Sequence, residues 1–200
     1  MWFTAGILAA ILSYTWLLEP RLPRAFVALP SAMVIALGAW HALRTGEWGF
    51  APAALRPGFR AAALFTVPAV LTLLAAGAAA GTLHGRRASL GSFAALVAWG
   101  GAQQWVLQTV VLREAQRATS RRAGVLAAAL LFAGVHLPNP FLAAMTFAGA
   151  LAWCVIYDRY PNVVPLALSH SIITLAILYA FDDALTGRLR IGHAYLRLNP

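Results

Sequence analysis

The sequence predicts an all-α fold, a polytopic transmembrane helix bundle of about seven helices. Three observations carry that prediction. Hydrophobic residues make up 61% of the 200-residue chain and charged residues 10%, against about a quarter charged in a typical soluble domain. The apolar residues fall into runs close to the length of about 20 residues that crosses a bilayer as a helix. The breaks between runs hold proline, glycine and arginine, which stop helices and anchor their ends in the headgroup layer.

The first run, Trp2 to Leu18, lacks the basic leader and the small-residue cleavage site of a signal peptide, and reads as a retained membrane helix. Glu19 to Arg24 is a short polar break. The second run is Ala25 to Leu43, in which Pro30 predicts a kink. Arg44 to Arg60 reads as a long connection, with Trp48 and Phe50 suited to the membrane interface. The third run is Ala61 to Ala80, with Pro68 inside it, and Gly81 to Ser89 is a loop holding His84, Arg86 and Arg87. The fourth run, Leu90 to Leu112, contains three glutamines. Arg113 to Arg122 is a basic juxtamembrane turn whose arginines predict an ion pair for Glu114, and its positive charge places that loop on the cytoplasmic side. The fifth run, Ala123 to Leu137, is short and stops at Pro138-Asn139-Pro140. The sixth is Phe141 to Tyr157 and the seventh Val163 to Phe181, separated by the break from Asp158 to Asn162. The polar tail, Asp182 to Pro200, is expected along the surface. Residues 1–89 thus form N-terminal membrane helices, 90–181 a core and 182–200 a tail, within one structural domain.

All fifteen basic residues are arginine, and the formal net charge is +9. In a soluble protein such a charge suggests nucleic acid. Here the arginines sit between apolar runs, so the expected partner is the lipid bilayer and no nucleic acid is expected. The expected location is a bacterial-type plasma membrane, crossed several times. Cys154 is the single cysteine, which excludes an internal disulfide and a multi-cysteine metal site. It reads as a small packing residue. Neither a fixed-period repeat nor the paired halves of a transporter is present.

The chemical signal lies in polar groups placed inside apolar runs, where they are costly unless they face a partner or a wet cavity. Gln104 and Gln108 are four residues apart and share a helical face, with Gln103 beside them. Such amides commonly join membrane helices by hydrogen bonds. His136 lies in the last turn of the fifth run, with Phe132 four residues before it. His170 lies mid-helix in the seventh, with Thr174 four residues on and Ser169 and Ser171 as neighbours. Two imidazoles can hold a divalent metal such as zinc, or orient a water and an oxyanion. Neither spacing is the short zinc motif H-E-x-x-H, so a shared site has to be assembled from separate helices.

The pattern resembles the CPBP family, the type II CAAX prenyl proteases and bacteriocin-processing (Abi) proteins, which carry E-E-x-x-x-R, F-x-x-x-H and H-x-x-x-N/D motifs in membrane helices. Phe132-Ala133-Gly134-Val135-His136 is the second motif intact, and His170-Ser171-Ile172-Ile173-Thr174 is the third with Thr174 in place of Asn or Asp. The first motif reads Gln103-Gln104-Trp105-Val106-Leu107-Gln108, with glutamine at both glutamates and at the arginine. The resemblance covers roughly Leu90 to Phe181. It implies an intramembrane endopeptidase, described as a metalloprotease where a metal is bound, acting on a membrane-associated or prenylated peptide. It further implies that His136 polarises a water, that His170 and Thr174 stabilise an oxyanion, and that His136 and His170 are the candidate metal ligands. Gln103, Gln104 and Gln108 would complete the site, with Phe132 beside His136. An amide takes no proton near neutral pH, and loss of a general base costs about 10²–10⁴-fold in rate. Two readings follow: a peptidase with altered chemistry, and a non-catalytic relative acting as a membrane scaffold, an immunity protein or a binder of peptide or lipid.

Overall fold

Proline and glycine set most of the helix boundaries. A computed structural model describes residues 1–83 and 89–198, leaving aside the side chains of Arg24 and Ala25, so the loop residues His84, Arg86 and Arg87 lie outside the described residues. Helices α1 (Trp2–Leu12), α2 (Ala28–Thr45), α3 (Pro52–Ala79), α4 (Leu90–Val106), α5 (Arg113–Ala118), α6 (Arg121–Gly134), α7 (Pro140–Arg159) and α8 (Val163–Ala180) follow one another. Two short helices, α9 (Asp183–Thr186) and α10 (Gly192–Leu196), make up the tail. No strand occurs among the described residues, only an isolated antiparallel bridge between Phe50 and Asn162.

The all-helical prediction holds. Of the expected spans, α3, α7 and α8 are long and apolar enough to cross a membrane as single helices. Of the other runs, α2 has the length, at 18 residues, but not the apolar character, and the rest are interrupted or short. The first run breaks into α1 and a π-helical segment, Ser13–Leu18, and the fourth breaks into α4 and a π-helical segment, Leu107–Leu112. Helix α6 has 14 residues, which gives a length of about 21 Å, against roughly 30 Å of hydrocarbon.

Two boundaries differ from expectation for the same reason. Pro30 falls in the first turn of α2, two residues after its start at Ala28, where the missing N–H would have no helical partner in any case. Pro52 is the first residue of α3, so that helix absorbs the second half of the supposed connection between Arg44 and Arg60. Gly46 closes α2 in the left-handed conformation, φ 73°.

The chain divides into two units that interleave along the sequence. One holds Met1–Trp48, Val106–Cys154 and Leu189–Pro200, and the other holds Gly49–Trp105 and Val155–Arg188. In the second unit α3 packs along α8. Gly77 allows this approach: a Cβ there would lie 2.3 Å from the Ala180 carbonyl oxygen. The starts of the two helices are tied together, the Asn162 side chain donating to the Ala51 carbonyl and the Val163 amide to that of Gly49. At the other end Thr82 donates to the Ala180 carbonyl at 2.7 Å.

In the first unit the end of the tail is tied down by hydrogen bonds, while most of its residues stay exposed or half-buried. The Gly192 amide donates to the Leu137 carbonyl at 2.9 Å, and Asn139 donates to that of Arg190 at 3.1 Å. Gly192 has φ 55°, and a Cβ there would sit 2.5 Å from the Thr15 carbonyl oxygen, so only glycine fits. Backbone groups pulled into an apolar setting need partners. The tail supplies them to the chain that leaves α6.

Candidate active site

Gln104 and His170 come together within the second unit. Gln104 is fully buried on α4 and His170 is 9% exposed on α8. The Gln104 amide nitrogen lies 3.2 Å from His170 Nδ1. An amide NH2 can only donate, so Nδ1 accepts, and the neutral ring carries its proton on Nε2. The close approach of α4 to α8 rests on Gly100: a Cβ there would stand 3.0 Å from Ser171 Oγ and 3.5 Å from His170 Cγ. Ser171 secures the same crossing by bonding the carbonyls of Leu96, at 3.0 Å, and Ala167, at 2.8 Å. Gln103 is half-buried beside Gln104. Thr174 is half-buried one turn beyond His170 on the same helix.

Phe132 and His136 come together within the first unit. His136 lies beyond the end of α6, in the turn that follows Gly134, not in the last helical turn as its apolar context implies. Its Nδ1 is hydrogen-bonded to the Phe132 carbonyl. A carbonyl only accepts, so Nδ1 carries the proton and Nε2 is left with a lone pair. The Phe132 ring meets the imidazole edge to face at 4.8 Å. Just after it, fully buried Asn139 accepts the Leu142 amide at 3.0 Å and holds Arg190, which pins both the start of α7 and the tail around this turn.

Gln108 is also fully buried, in the first unit. The shared face predicted for Gln104 and Gln108 assumed an unbroken α-helix. The π-helical segment from Leu107 to Leu112 interrupts it, and its wider turn changes the angle per residue, so four-residue spacing no longer fixes a common face.

Glu114 departs from the predicted arginine pairing. It is buried and accepts the Thr4 amide at 2.8 Å, while Arg113 pairs with Glu47 at 3.4 Å. Burial pushes the Glu114 carboxyl up, but hydrogen bonding from Thr4, the Met1 ammonium at 3.6 Å and the Phe3 backbone together hold the group below the ordinary glutamate value. Sequence reasoning also passed over His41, which is 1% exposed on α2, stacked edge-on against Phe3 at 5.2 Å and 3.4 Å from an Arg117 nitrogen. The signal that found His136 and His170, an imidazole inside an apolar helix, applies equally to it.

The residues do not fit the zinc chemistry that two histidines suggested. A catalytic zinc typically takes three protein ligands, and no group of three His, Cys, Asp or Glu side chains able to hold a metal occurs among the described residues. Nδ1 of each imidazole is already bonded, to Gln104 in one case and to Phe132 in the other. The expectation of a metalloprotease finds no support, and no step is derived through a metal.

Comparison with known proteins agrees with the motifs. Residues 85–176 match the model of the family described as type II CAAX prenyl endopeptidase, Rce1-like. That segment runs through all three motif positions, from Gln103 to Thr174, and over it the chain is similar to CAAX-protease-type membrane proteins. No curated protein and no solved structure matches the chain.

Proposed function

We propose that the protein is an intramembrane endopeptidase of the CAAX type, crossing a bacterial-type plasma membrane about seven times and cleaving a membrane-associated or prenylated peptide. Its chemistry is shifted from carboxylate to imidazole. The observation that carries this reading is the opposite protonation of the two histidines. Nδ1 of His136 donates to the Phe132 carbonyl, which leaves Nε2 as a lone pair able to take a proton from water. Nδ1 of His170 accepts from Gln104, and in that tautomer the ring is a donor of the kind that stabilises an oxyanion. The water oxygen bonds to the peptide carbonyl carbon as His136 takes its proton. The tetrahedral intermediate then collapses, expelling the amine, which receives that proton. Gln104 acts through His170 by holding its tautomer. Gln103 and Thr174 are further polar groups on the helices that carry Gln104 and His170, Gln108 is a buried polar group of the first unit, and Phe132 fixes the His136 ring.

The test is hydrolysis of a farnesylated CAAX peptide by the purified protein in lipid nanodiscs. Turnover in the wild type that is lost in both His136→Gln and His170→Gln supports the reading. Turnover that survives both substitutions overturns it. A wild type that binds the peptide without cleaving it assigns the polar groups to a non-catalytic relative.

A further inference from the structure

A groove on an exposed face of the second unit has no part in this chemistry. It lies between α3 and α8, with a volume of about 320 Å³, and its lining includes Phe59, Ala63, Val67, Pro165 and Ile172. On its floor the hydroxyls of Thr66 and Ser169 are 2.6 Å apart and Thr66 also bonds the Ala62 carbonyl, so these polar atoms satisfy one another. What the groove offers an occupant is apolar surface.

Its position along α3 is set by helix arithmetic. The helix has 28 residues, hence a length of about 42 Å, which exceeds the roughly 30 Å hydrocarbon layer. The uninterrupted apolar stretch after Arg60 accounts for that layer, which leaves Arg56 and Arg60 at headgroup depth. From Phe59 to Leu71 the groove descends about 18 Å, close to the depth of one leaflet, roughly 15 Å.

The arginines stand at the mouth of this groove. Arg56, Arg60, Ala63, Val67 and Val70 follow one another at three- and four-residue spacing and form one stripe of the helix, with Phe59 three residues beyond Arg56 at its edge. Both guanidinium groups are exposed, and neither has an ion-pair or hydrogen-bond partner among the described residues, unlike Arg113 with Glu47 and Arg188 with Asp183. Arg159 adds a third cation at the same end, lying over the ring of Tyr160 at 5.5 Å, and Tyr160 packs beside Gly58 of α3.

We propose that this groove is a binding site for an anionic phospholipid, with the phosphate at Arg56 and Arg60 and one acyl chain in the groove over Thr66 and Ser169. Unpaired guanidinium groups recognise the negative headgroup, and the apolar groove, about one leaflet deep, takes the chain.

The full-length protein in detergent, analysed by native mass spectrometry with added dioleoyl phosphatidylglycerol, dioleoyl phosphatidylcholine or glycerol 3-phosphate, tests this. Two arginines at headgroup depth predict a preference for phosphatidylglycerol over phosphatidylcholine of roughly 30-fold, with no retention of glycerol 3-phosphate alone. Arg56→Gln with Arg60→Gln is expected to remove the preference. Ala63→Trp, which fills an exposed part of the groove without entering the core, is expected to lower retention of both lipids. A phosphatidylglycerol bearing a photoreactive diazirine on its acyl chain is expected to label the α3 peptide of the wild type, so the outcome does not depend on the variants folding. Equal retention of the two lipids overturns the proposal, as does labelling elsewhere with α3 unlabelled. So does retention of glycerol 3-phosphate alone as strong as that of the lipid. A dimer that Ala63→Trp dissociates would assign the groove to a second copy of the chain and overturn the lipid site.

Discussion

The two motif histidines share a residue type and an apolar setting, yet they are held in opposite ways. His170 sits mid-helix and takes its partner from a different helix, 66 residues away in sequence. His136 sits in the turn after a helix and takes its partner from its own preceding turn, four residues away. The first hydrogen bond makes Nδ1 an acceptor and the second makes it a donor. The lesson is that the tautomer is not a property of the motif. The group that faces Nδ1 decides it, and with it which ring can act as a base and which as an electrophile.

The largest expected effect on this contrast comes from His136→Gln, which removes the proposed base. Turnover of a prenylated peptide is expected to fall by about 10²–10⁴-fold, with the thermal midpoint little changed because His136 stands in a turn. His170→Gln is expected to cost about 10²–10³-fold, the size of losing one oxyanion donor. A smaller effect on His136 than on His170 would reverse the proposed roles.

A sharper test reads the protons directly. Nitrogen NMR of the 15N-histidine protein at neutral pH is expected to show His136 protonated on Nδ1 and His170 on Nε2. Gln104→Glu replaces an amide donor with a carboxylate that only accepts, so His170 is expected to switch to the Nδ1–H form while His136 keeps its pattern. A spectrum in which both rings respond together, or neither does, breaks the comparison.

Two milder substitutions separate the regions by stability. Gly100→Ala puts a methyl group 3.0 Å from Ser171 Oγ, and is expected to lower stability by about 1–3 kcal/mol through overpacking at the α4 and α8 crossing. Its NMR changes should concentrate on His170. Asn139→Ala removes the cap on α7 and the bond to Arg190, with an expected cost of about 1 kcal/mol and changes concentrated on His136. Thermal unfolding of the two variants in the same nanodiscs measures both.

The contrast also explains which parts were legible beforehand. Val163 to Phe181 was read almost to the residue, because an uninterrupted apolar run flanked by Asn162 and Asp182 has one low-energy form in lipid. The run from Leu90 to Leu112 was read as one helix but contains a π-helical segment, whose register depends on packing and leaves no mark in composition. Glu114 was assigned to arginines by adjacency, whereas it meets the backbone amide of Thr4, 110 residues distant, and the Met1 ammonium. The polarity of the tail gave no sign of which residue it is tied to, the Leu137 carbonyl that accepts the Gly192 amide.

By itself the sequence determined the helical class, the lipid-facing character of the long helices and the positions of Phe132, His136, His170 and Thr174 in a family pattern. These are local matters: a chain segment in hydrocarbon must satisfy its backbone internally, and motif spacing is written in the order of residues. Only the tertiary structure decided that Gln104 faces Nδ1 of His170, that Asn139 ties the tail to the turn after His136, and that Arg56 and Arg60 have no partner among the described residues at the mouth of a groove. Each of these depends on which groups meet across a distance in sequence. Hydrogen bonds and ion pairs depend on separations of a few ångströms, which a residue's neighbours along the chain do not specify.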